Sequence, residues 1–264
     1  MGLDLTPLIR RAVLAGAVLG SAWAFPTAVS ATIWAPGSFL LSEPFVLGST
    51  SPGKWGGPVM GTPGGTVTWS LMPTGTSCAA EFAGCSITGL SSFMPVGFLT
   101  SIQAAFSAWS AVANITFMQV LDDGAPLDAP TTGGDIRLGG HVFDGAGGTL
   151  AHGFFPPVNG NTAAGDIHFD IADTWKLGFA GAGFDVFQVT AHEIGHAIGL
   201  GHTGVANSLM NPFYSQAFSG VQADDIAGAQ FIYGMNAAPE PASLTLLGVG
   251  AVVLGLVRRR SVPK

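Results

Sequence analysis

Charged residues are scarce in this chain. They make up 9% of 264 residues, with 9 Lys and Arg against 16 Asp and Glu, and the formal net charge of −7 comes from scattered acids. No basic stripe is present. A nucleic-acid-binding surface needs clustered Lys and Arg, so the composition argues against nucleic acid as a partner. The length suits one domain of ordinary size plus tails.

Long apolar runs are also missing, except at the two ends. Near the N-terminus Arg10 and Arg11 precede an apolar run, and small residues follow at Ala24 and Ala31. This order of basic, apolar and small-residue regions is typical of a secretory signal peptide, predicted over residues 1–31. A membrane anchor is the alternative, but the run is short for a span.

The C-terminal end, residues 237–264, reads PEPASLTLLGVGAVVLGLVRRRSVPK after two alanines. The closing arginines would stay cytoplasmic by the positive-inside rule. The tripartite layout resembles a PEP-CTERM sorting signal. That resemblance implies an exosortase-type sorting machinery as a partner, a Gram-negative bacterium as the host, and contact with the membrane only transiently. A plain C-terminal anchor is the alternative.

Cysteine is nearly absent. The two cysteines, Cys78 and Cys85, lie close together in sequence. In an exported chain such a pair most often forms a disulfide. A metal site is the alternative, but potential partners are not nearby in sequence. We therefore expect a staple within one loop.

Between the ends the chain divides into two parts. Residues 32–53 are rich in Pro, Gly and Ser without a clear period and are predicted to be a leader or linker. Residues 54–236 hold five segments with strand character, TVTWSL, ITFMQV, DIRLGG, TLAHGFF and GDIHFDI, and three with helical spacing. Phe98, Ile102 and Trp109 share one face of the first helix. The pattern predicts one α+β domain.

The stretch TAHEIGHAIGLGH concentrates ligand-type residues. Residues four apart on a helix lie one above the other, so His192 and His196 present two imidazoles to one point. Gly199 permits a backbone turn, which brings His202 to the same point. Zinc accepts this ligand set and keeps one position for a water whose pKa it lowers to about 7. Glu193 is placed to take a proton from that water.

These residues form H-E-x-x-H-x-x-G-x-x-H, which is much more specific than HExxH alone. Together with Met210 in SLMNP, the pattern resembles the metzincin signature and its downstream methionine turn. In isolation Met210 would be an ordinary core methionine. The resemblance implies an apolar floor beneath the zinc ligands. It also implies a zincin-like α+β fold: a twisted mixed sheet of about five strands with three helices.

Several blocks narrow the resemblance to the matrixins, the matrix-metalloproteinase type. AAFSAWSAVANITF, FDGAGGTLAHGFF, GDIHFDIADTW and ADDIAGAQFIYG are similar to matrixin blocks in the same order. An astacin carries a zinc-reaching tyrosine two residues after the turn methionine. Here that residue is Pro212, which disfavours the astacins. Pro212 and Tyr214 match the matrixin wall of the substrate pocket.

The matrixin resemblance also implies a second, structural zinc. A lone histidine is more often structural, but His152 and His168 lie at matrixin ligand positions, and His141 is a plausible third ligand. The family has a His-Gly-Asp several residues before its FDG block. Here His141 lies two residues before Phe143, so the loop is shortened and the aspartate has no clear counterpart. A water or a different carboxylate would complete the tetrahedron.

Two calcium sites follow from the same resemblance. Calcium takes six to eight oxygen ligands, which the glycine-rich FDGAGGT segment can supply. Asp144, Asp170 and Asp173 match the first site, with Asp173 standing where a glutamate is usual. Asp135 and Asp166 match a second. The alternative is that these acids are solvated turn residues or helix caps.

Together these features predict an exported zinc-dependent endopeptidase, extracellular or on the cell surface, with Glu193 as general base. An extended protein or peptide substrate would add to the sheet edge near residues 150–154. A non-catalytic surface or biofilm-matrix binding protein is the alternative, although such a protein would not need Glu193. A zinc hydrolase acting on other substrates is a third. The propeptide cysteine motif that keeps many matrixins latent is missing, so either the enzyme is active on export or residues 32–53 block the cleft.

Overall fold

A computed structural model describes residues 53–157 and 163–236 in full, and the backbone of residues 30–34 and 46–47. The predicted signal peptide up to residue 29 and the sorting tail from residue 237 lie outside the described residues. Across the described ranges, no helix combines the length and the apolar character needed to cross a bilayer.

A six-stranded mixed sheet frames the molecule. The strands in chain order are β1 (Ser30–Trp34), β2 (Val46–Leu47), β3 (Gly65–Leu71), β4 (Ile115–Gln119), β5 (Ile136–His141), β6 (Thr149–Phe154), β7 (Ile167–Asp170), β8 (Trp175–Lys176), β9 (Phe184–Asp185) and β10 (Leu200–Gly201). The sheet order is β1-β6-β7-β5-β3-β4, while β2 pairs with β10 and β8 with β9. Strand β6 is antiparallel to both of its neighbours, whereas β3, β4, β5 and β7 are mutually parallel.

Three helices complete the domain: α1 (Phe98–Val112), α2 (Val186–Ala197) and α3 (Ala223–Tyr233). The apolar face of α1 is buried, as its spacing predicts. Phe106 stacks on Trp69 of β3 with ring centroids 4.7 Å apart, and the indole N–H of Trp109 donates to the Ala191 carbonyl of α2 at 2.8 Å. Burial of each such side chain contributes about 1.5–3 kcal/mol. Helix α2 is therefore held firmly against α1.

The α+β prediction is confirmed: three helices pack with five sheet strands of the domain, β3 to β7. The structure differs from the prediction in the leader. Residues 32–53 show no strand pattern, yet β1 and β2 form there or across its boundary. Each pairs through its backbone with a strand of the domain. Backbone pairing of this kind leaves little trace in the order of apolar and polar residues.

Candidate active site and second metal centre

Helix α2 carries the first half of the histidine motif. It begins at an N-cap, Asp185, whose side chain accepts the Gln188 N–H at 2.9 Å. His192 and His196 lie one turn apart and are fully buried, as is Glu193 between them in sequence. The helix lies between α1 and strand β6, which fixes the direction of these side chains.

A glycine turn carries the chain from α2 to the third histidine. Gly199 adopts φ +108°, and a Cβ there would lie 2.5 Å from the Gly53 carbonyl oxygen. Both the backbone angle and the space exclude other residues. The Gly199 N–H donates to the His196 carbonyl at 2.9 Å. Strand β10 follows, and His202 comes directly after it and is partly exposed.

The three imidazoles converge on one point. The Nε2 atom of His202 lies 3.2 Å from Nε2 of His192 and 3.2 Å from Nε2 of His196. Nitrogen ligands at about 2.0–2.1 Å around a tetrahedral zinc are separated by about 3.3–3.4 Å. The spacing of the three nitrogen atoms therefore fits one zinc ion.

Backbone carbonyls fix the protonation of the two helix histidines. The Nδ1 atom of His192 lies 2.6 Å from the Leu209 oxygen, and that of His196 lies 2.7 Å from the Leu200 oxygen. A carbonyl only accepts, so Nδ1–H is the donor and Nε2 keeps its lone pair for a metal. Burial, followed by the charge of the neighbouring histidine, lowers the pKa of both residues well below the usual value. Both rings are neutral and ready to ligate at neutral pH.

Glu193 lies next to strand β6. A Cβ on Gly153 of β6 would lie 3.2 Å from the Glu193 Oε2 atom and 2.9 Å from its backbone oxygen. Glycine at this position lets the strand approach the carboxylate. A backbone paired with β6 would therefore run close to Glu193 and the three histidines.

The turn that carries Met210 packs against helix α2. A Cβ on Gly195 of α2 would lie 2.2 Å from the Met210 sulfur, so the thioether packs directly against the helix between His192 and His196. Buried Asp225 of α3 accepts the backbone N–H groups of Leu209 at 2.8 Å and of Met210 at 3.0 Å. Asp225 thus holds the turn whose carbonyl orients His192. Its place in the first helical turn did not reveal this role.

Tyr214 is tied to the start of α2. Its hydroxyl accepts the Asp185 N–H at 3.0 Å, and its ring meets Phe184 edge-on at 5.2 Å. Tyr214 lines a cavity of about 490 Å³, together with Ala146, Gly147, Asp173, Thr174, Ala182, Gly183, Phe184 and Gln216. Pro212, the other predicted pocket residue, is half-buried.

The remaining three histidines form a second cluster. His141 ends β5, His152 lies in β6 and His168 in β7. His152 and His168 are cross-strand partners, and their ring centroids lie 5.1 Å apart. The fourth member, Glu81, comes from outside the sheet. Its Oε2 lies 3.0 Å from His141 Nε2 and 3.5 Å from His152 Nε2, and its Oε1 lies 2.5 Å from His168 Nδ1.

Glu81 is the member of this cluster that no sequence pattern indicated. It belongs to the loop closed by a disulfide between Cys78 and Cys85. That loop brings the carboxylate to histidines that lie 60 to 87 residues further along the chain. One signal was available: Glu81 is the single acidic residue between positions 44 and 121. An isolated carboxylate inside a stapled loop would have been a reasonable candidate ligand.

The charges of the second cluster favour the ligand forms of its residues. Burial alone would raise the pKa of Glu81, but hydrogen bonds from His141 and His168 hold it well below its usual range. Burial, reinforced by the charge of His168, lowers the pKa of His152 to about 3. A carboxylate and neutral imidazoles are the forms that bind zinc.

The acids predicted for the first calcium site lie in one region but not in a tight group. Asp144 accepts the Thr149 N–H at 3.0 Å, and Asp173 accepts the Gly147 N–H at 2.7 Å. One carboxylate oxygen each of Asp170 and Asp173 is buried without a hydrogen-bond partner among the described residues. Burial, then the charges of Asp170 and Asp144, raises the pKa of Asp173. This excess of negative charge suits a cation.

The two acids predicted for the second calcium site belong to separate hydrogen-bond networks. Asp135 accepts the Thr68 N–H at 2.8 Å and the Thr68 hydroxyl at 2.7 Å. Asp166 is fully buried and accepts the Arg137 N–H at 2.8 Å. In the parts of the chain that the structure describes, only the two histidine clusters bring three or more ligand atoms within 4.8 Å of one another.

Comparison with known proteins gives these clusters a family context. The chain is 38% identical to stromelysin-3 of Xenopus laevis over 157 residues, which are 58% of this chain and 31% of that protein. It is 36% identical to karilysin of Tannerella forsythia over 142 residues, 51% of this chain and 28% of that protein. Matrix metalloproteinase-25 of Homo sapiens is 40% identical over 140 residues, 49% of this chain and 24% of that protein. The chain therefore spans less than a third of these relatives.

Two family models match different parts of the sequence. Residues 237–261 match the PEP-CTERM protein-sorting motif, which confirms the predicted sorting tail. Residues 91–234 match the model described as Matrixin, and this stretch is more than half of the 264-residue chain. The chain is thus a member of the matrixin family with a PEP-CTERM sorting motif.

Proposed function

We propose that this protein is an exported zinc-dependent endopeptidase. One observation carries the proposal: three Nε2 atoms are spaced for a single zinc ion, with buried Glu193 beside them and strand β6 next to Glu193. His192, His196 and His202 would hold the ion. Bound there, zinc would supply a Lewis acid that polarises a carbonyl and makes a neighbouring water more acidic.

Glu193 would do the proton transfers. Its carboxylate takes a proton from the attacking water and passes it to the nitrogen that leaves as an amine. Its position next to Gly153 places it beside a peptide that pairs with β6. The Met210 floor and the carbonyls behind His192 and His196 keep the ligands fixed during this exchange.

The substrate would be an extended peptide or protein segment. Strand β6 is the last strand of residues 54–236 on its side of the sheet, and its outer backbone groups pair with β1, so a substrate strand would take the place of β1 there. The cavity beside Tyr214 would take one substrate side chain. The lining of that cavity by Ala182, Gly183 and Phe184 supports an apolar side chain there.

A second, structural zinc would be held by His141, His152, His168 and Glu81. Four protein ligands close a zinc site, which is the usual arrangement when the metal stabilises a fold. The support is the spacing of Glu81 from all three histidines, 2.5 to 3.5 Å, and the burial of the rings. Such an ion would join three sheet strands to the Cys78–Cys85 loop.

Calcium would bind near the Gly-rich turn, with Asp144, Asp170 and Asp173 as carboxylate ligands. The buried oxygens of Asp170 and Asp173 without a hydrogen-bond partner support this site. Backbone carbonyls would have to supply the remaining ligands that calcium requires. Asp135 and Asp166 as a second calcium site stay a prediction.

The predicted signal peptide and the sorting motif together support export and surface association. We infer that an exosortase-type machinery of a Gram-negative bacterium processes the tail. The enzyme would contact the membrane only through that tail and act at the cell surface or outside the cell.

A peptide library tests the activity. The exported protein is incubated with the library with and without a zinc chelator, beside a Glu193→Ala variant. Cleavage that the chelator abolishes and that the variant lacks is the expected result. Absence of chelator-sensitive cleavage, with zinc bound and the protein folded, would favour a surface or biofilm-matrix binding protein instead.

A further inference from the structure

A short disulfide loop carries the carboxylate of the second histidine cluster. The loop runs from Cys78 to Cys85, which are the two cysteines of the chain. Within it the Cys78 N–H donates to the Cys85 carbonyl at 3.2 Å, and the Glu81 N–H donates to the Cys78 carbonyl at 2.9 Å. The disulfide and these hydrogen bonds together set the conformation from which Glu81 reaches the histidines.

Glu81 is the point at which the tip of the loop meets the sheet. Of residues 79–84, Glu81 alone is not exposed, and its side chain is 14% exposed. Its two carboxylate oxygens lie 2.5 to 3.5 Å from nitrogen atoms of all three histidines. The neighbouring Phe82 is half exposed, and its ring meets His141 edge-on at 5.4 Å. The position of one carboxylate therefore links the loop to three strands.

The disulfide holds the tip of the loop against the domain. Cys78 is fully buried and belongs to a small apolar core. An isolated bridge between Ser77 and Ser86 lies just outside the disulfide. Reduction would therefore leave the base of the loop attached and remove the constraint on its tip. Because a cross-linked loop keeps Glu81 near the histidines at a high effective concentration, an open loop would keep it there for a smaller fraction of the time.

We propose that the Cys78–Cys85 disulfide and zinc binding at the second cluster are coupled through Glu81. Reduction of the disulfide frees the carboxylate and weakens the hold of His141, His152 and His168 on zinc. Bound zinc in turn makes the disulfide harder to reduce. This inference rests on the proposed structural zinc, because the ion is what joins the loop to the three strands.

The redox step is a two-electron thiol–disulfide exchange. A dithiol reductant supplies two electrons and two protons, the S–S bond of the protein breaks, and the dithiol becomes a cyclic disulfide. Cys78 and Cys85 each leave the reaction as a thiol. The chain has two cysteines in all, so the attacking thiol has to come from outside the protein.

Thermodynamic linkage sets the size of the coupling in both directions. If oxidation of the disulfide raises the zinc affinity by some factor, zinc raises the equilibrium constant for oxidation by the same factor. Groups that hold a metal ligand in place typically contribute about 10–100-fold to metal affinity. A tenfold change in the equilibrium constant of a two-electron couple corresponds to about 30 mV. Saturating zinc should therefore lower the midpoint potential of the disulfide by about 30 mV or more.

A redox titration of the exported protein tests this coupling without an activity assay. The protein is equilibrated in mixtures of reduced and oxidised dithiothreitol, starting from either state of the disulfide. Free zinc is either removed or held at a saturating value by a nitrilotriacetate buffer. Acid quenching, alkylation and intact mass give the fraction of molecules with the disulfide, and metal analysis gives the zinc content of the oxidised protein.

Three variants show whether Glu81 carries the coupling. Glu81→Ala removes the carboxylate, and Glu81→Gln keeps the size of the side chain if alanine lowers the yield of folded protein. Asp128→Ala is the matched control, at an exposed acid that lines the same cavity as Glu81. We expect the full shift of the midpoint potential in wild type and Asp128→Ala, and a much smaller shift in both Glu81 variants.

The outcomes separate this inference from the proposal of a second zinc. Two zinc ions in oxidised wild type, with the same midpoint potential whether or not zinc is present, overturn the coupling and leave the second zinc in place. An equal shift in the Glu81 variants also overturns it, as does a shift toward easier reduction, which would mean that the free thiols bind zinc. A single zinc ion in oxidised wild type overturns the second zinc itself and the coupling with it.

Discussion

The two histidine clusters contain similar groups but are assembled in different ways. The first takes its three histidines from eleven consecutive residues, 192–202, on one helix and the turn that follows. The second takes its ligands from three strands and a distant loop, from Glu81 to His168. Local geometry builds the first cluster, whereas the whole sheet must fold before the second exists. This difference explains why only the first cluster can be recognised as a motif in the sequence.

The clusters also differ in how completely they would surround a metal. The first offers three ligands, one of them on the partly exposed His202, and leaves a position open beside Glu193. The second offers four ligands and no open position. An open site suits catalysis and a closed site suits structural support. A substitution in the first cluster should therefore mainly lower turnover, whereas a substitution in the second should mainly lower stability.

The largest expected effect is on turnover at the first cluster. Glu193→Ala should lower kcat by about 10²–10⁴-fold, the usual contribution of a positioned acid–base group. Zinc content should stay at the wild-type level, because Glu193 is not among the ligands. Peptide cleavage and metal analysis of the same sample check both points. His202→Ala is the matched variant, since it should lose the ion as well as the activity.

At the second cluster the main effect should be on stability. Glu81→Ala removes a ligand, so one zinc equivalent should be lost and the free energy of unfolding should fall by up to about 4 kcal/mol when free zinc is near a thousand times Kd. Activity per folded molecule should be mostly retained. Asp128→Ala, at an exposed acid, is the control and should change neither quantity. Loss of activity without loss of zinc in Glu81→Ala would contradict the division of roles.

A smaller effect is expected from the staple that positions Glu81. Replacing both Cys78 and Cys85 by Ser opens a loop whose ends are 7 residues apart, which costs about 2–3 kcal/mol in the chain-entropy model. The substitution should also weaken zinc binding at the second cluster, because the loop no longer holds the carboxylate in place. Repeating it in Glu81→Ala separates the two contributions. If zinc affinity falls equally in both backgrounds, the loop does not act through Glu81.

The smallest expected effect for each residue is on how the stability of the metal-free protein depends on pH. Burial lowers the pKa of His152 to about 3 and lowers that of His168, so below pH 6.5 the unfolded chain binds more protons at these residues than the folded one. Stability should therefore fall as the pH drops below about 6.5, by up to about 1.4 kcal/mol per pH unit for each histidine. His192 and His196 act in the same direction.

At lower pH, Glu81 should produce a difference in stability between wild type and Glu81→Ala. Its pKa is held below the usual value, so its contribution is present above about pH 4.5 and is lost as the pH falls further. Denaturant unfolding of chelated protein from pH 7.5 to 4 should show a steeper loss below pH 4.5 in wild type than in Glu81→Ala. Identical curves would mean that the carboxylate has no ionic partners in the folded state.

The sequence predicted those parts of the molecule that are determined by interactions between residues close together in the chain. Helical spacing located α2 and the apolar face of α1, and the need for a positive φ marked Gly199. The structure confirms the three helices and the five domain strands, and in it Met210 packs against Gly195 of α2. Each of these follows from residues fewer than about twenty positions apart.

What the sequence did not reveal depends on long-range contacts. Glu81 reaches its partners only through the disulfide loop and the stacking of three strands. The pairing of Ser30–Trp34 with β6 is a backbone contact across more than a hundred residues, which leaves no side-chain period to read. Asp225 likewise acts on the methionine turn from another helix.

Anomalous diffraction at the zinc absorption edge, from crystals of the zinc-loaded exported protein, tests the two-centre arrangement most directly. We predict two peaks: one among the Nε2 atoms of His192, His196 and His202, the other bounded by His141, His152, His168 and the Glu81 carboxylate. A single peak at the first cluster, or a second peak from which Glu81 is turned away, would contradict it.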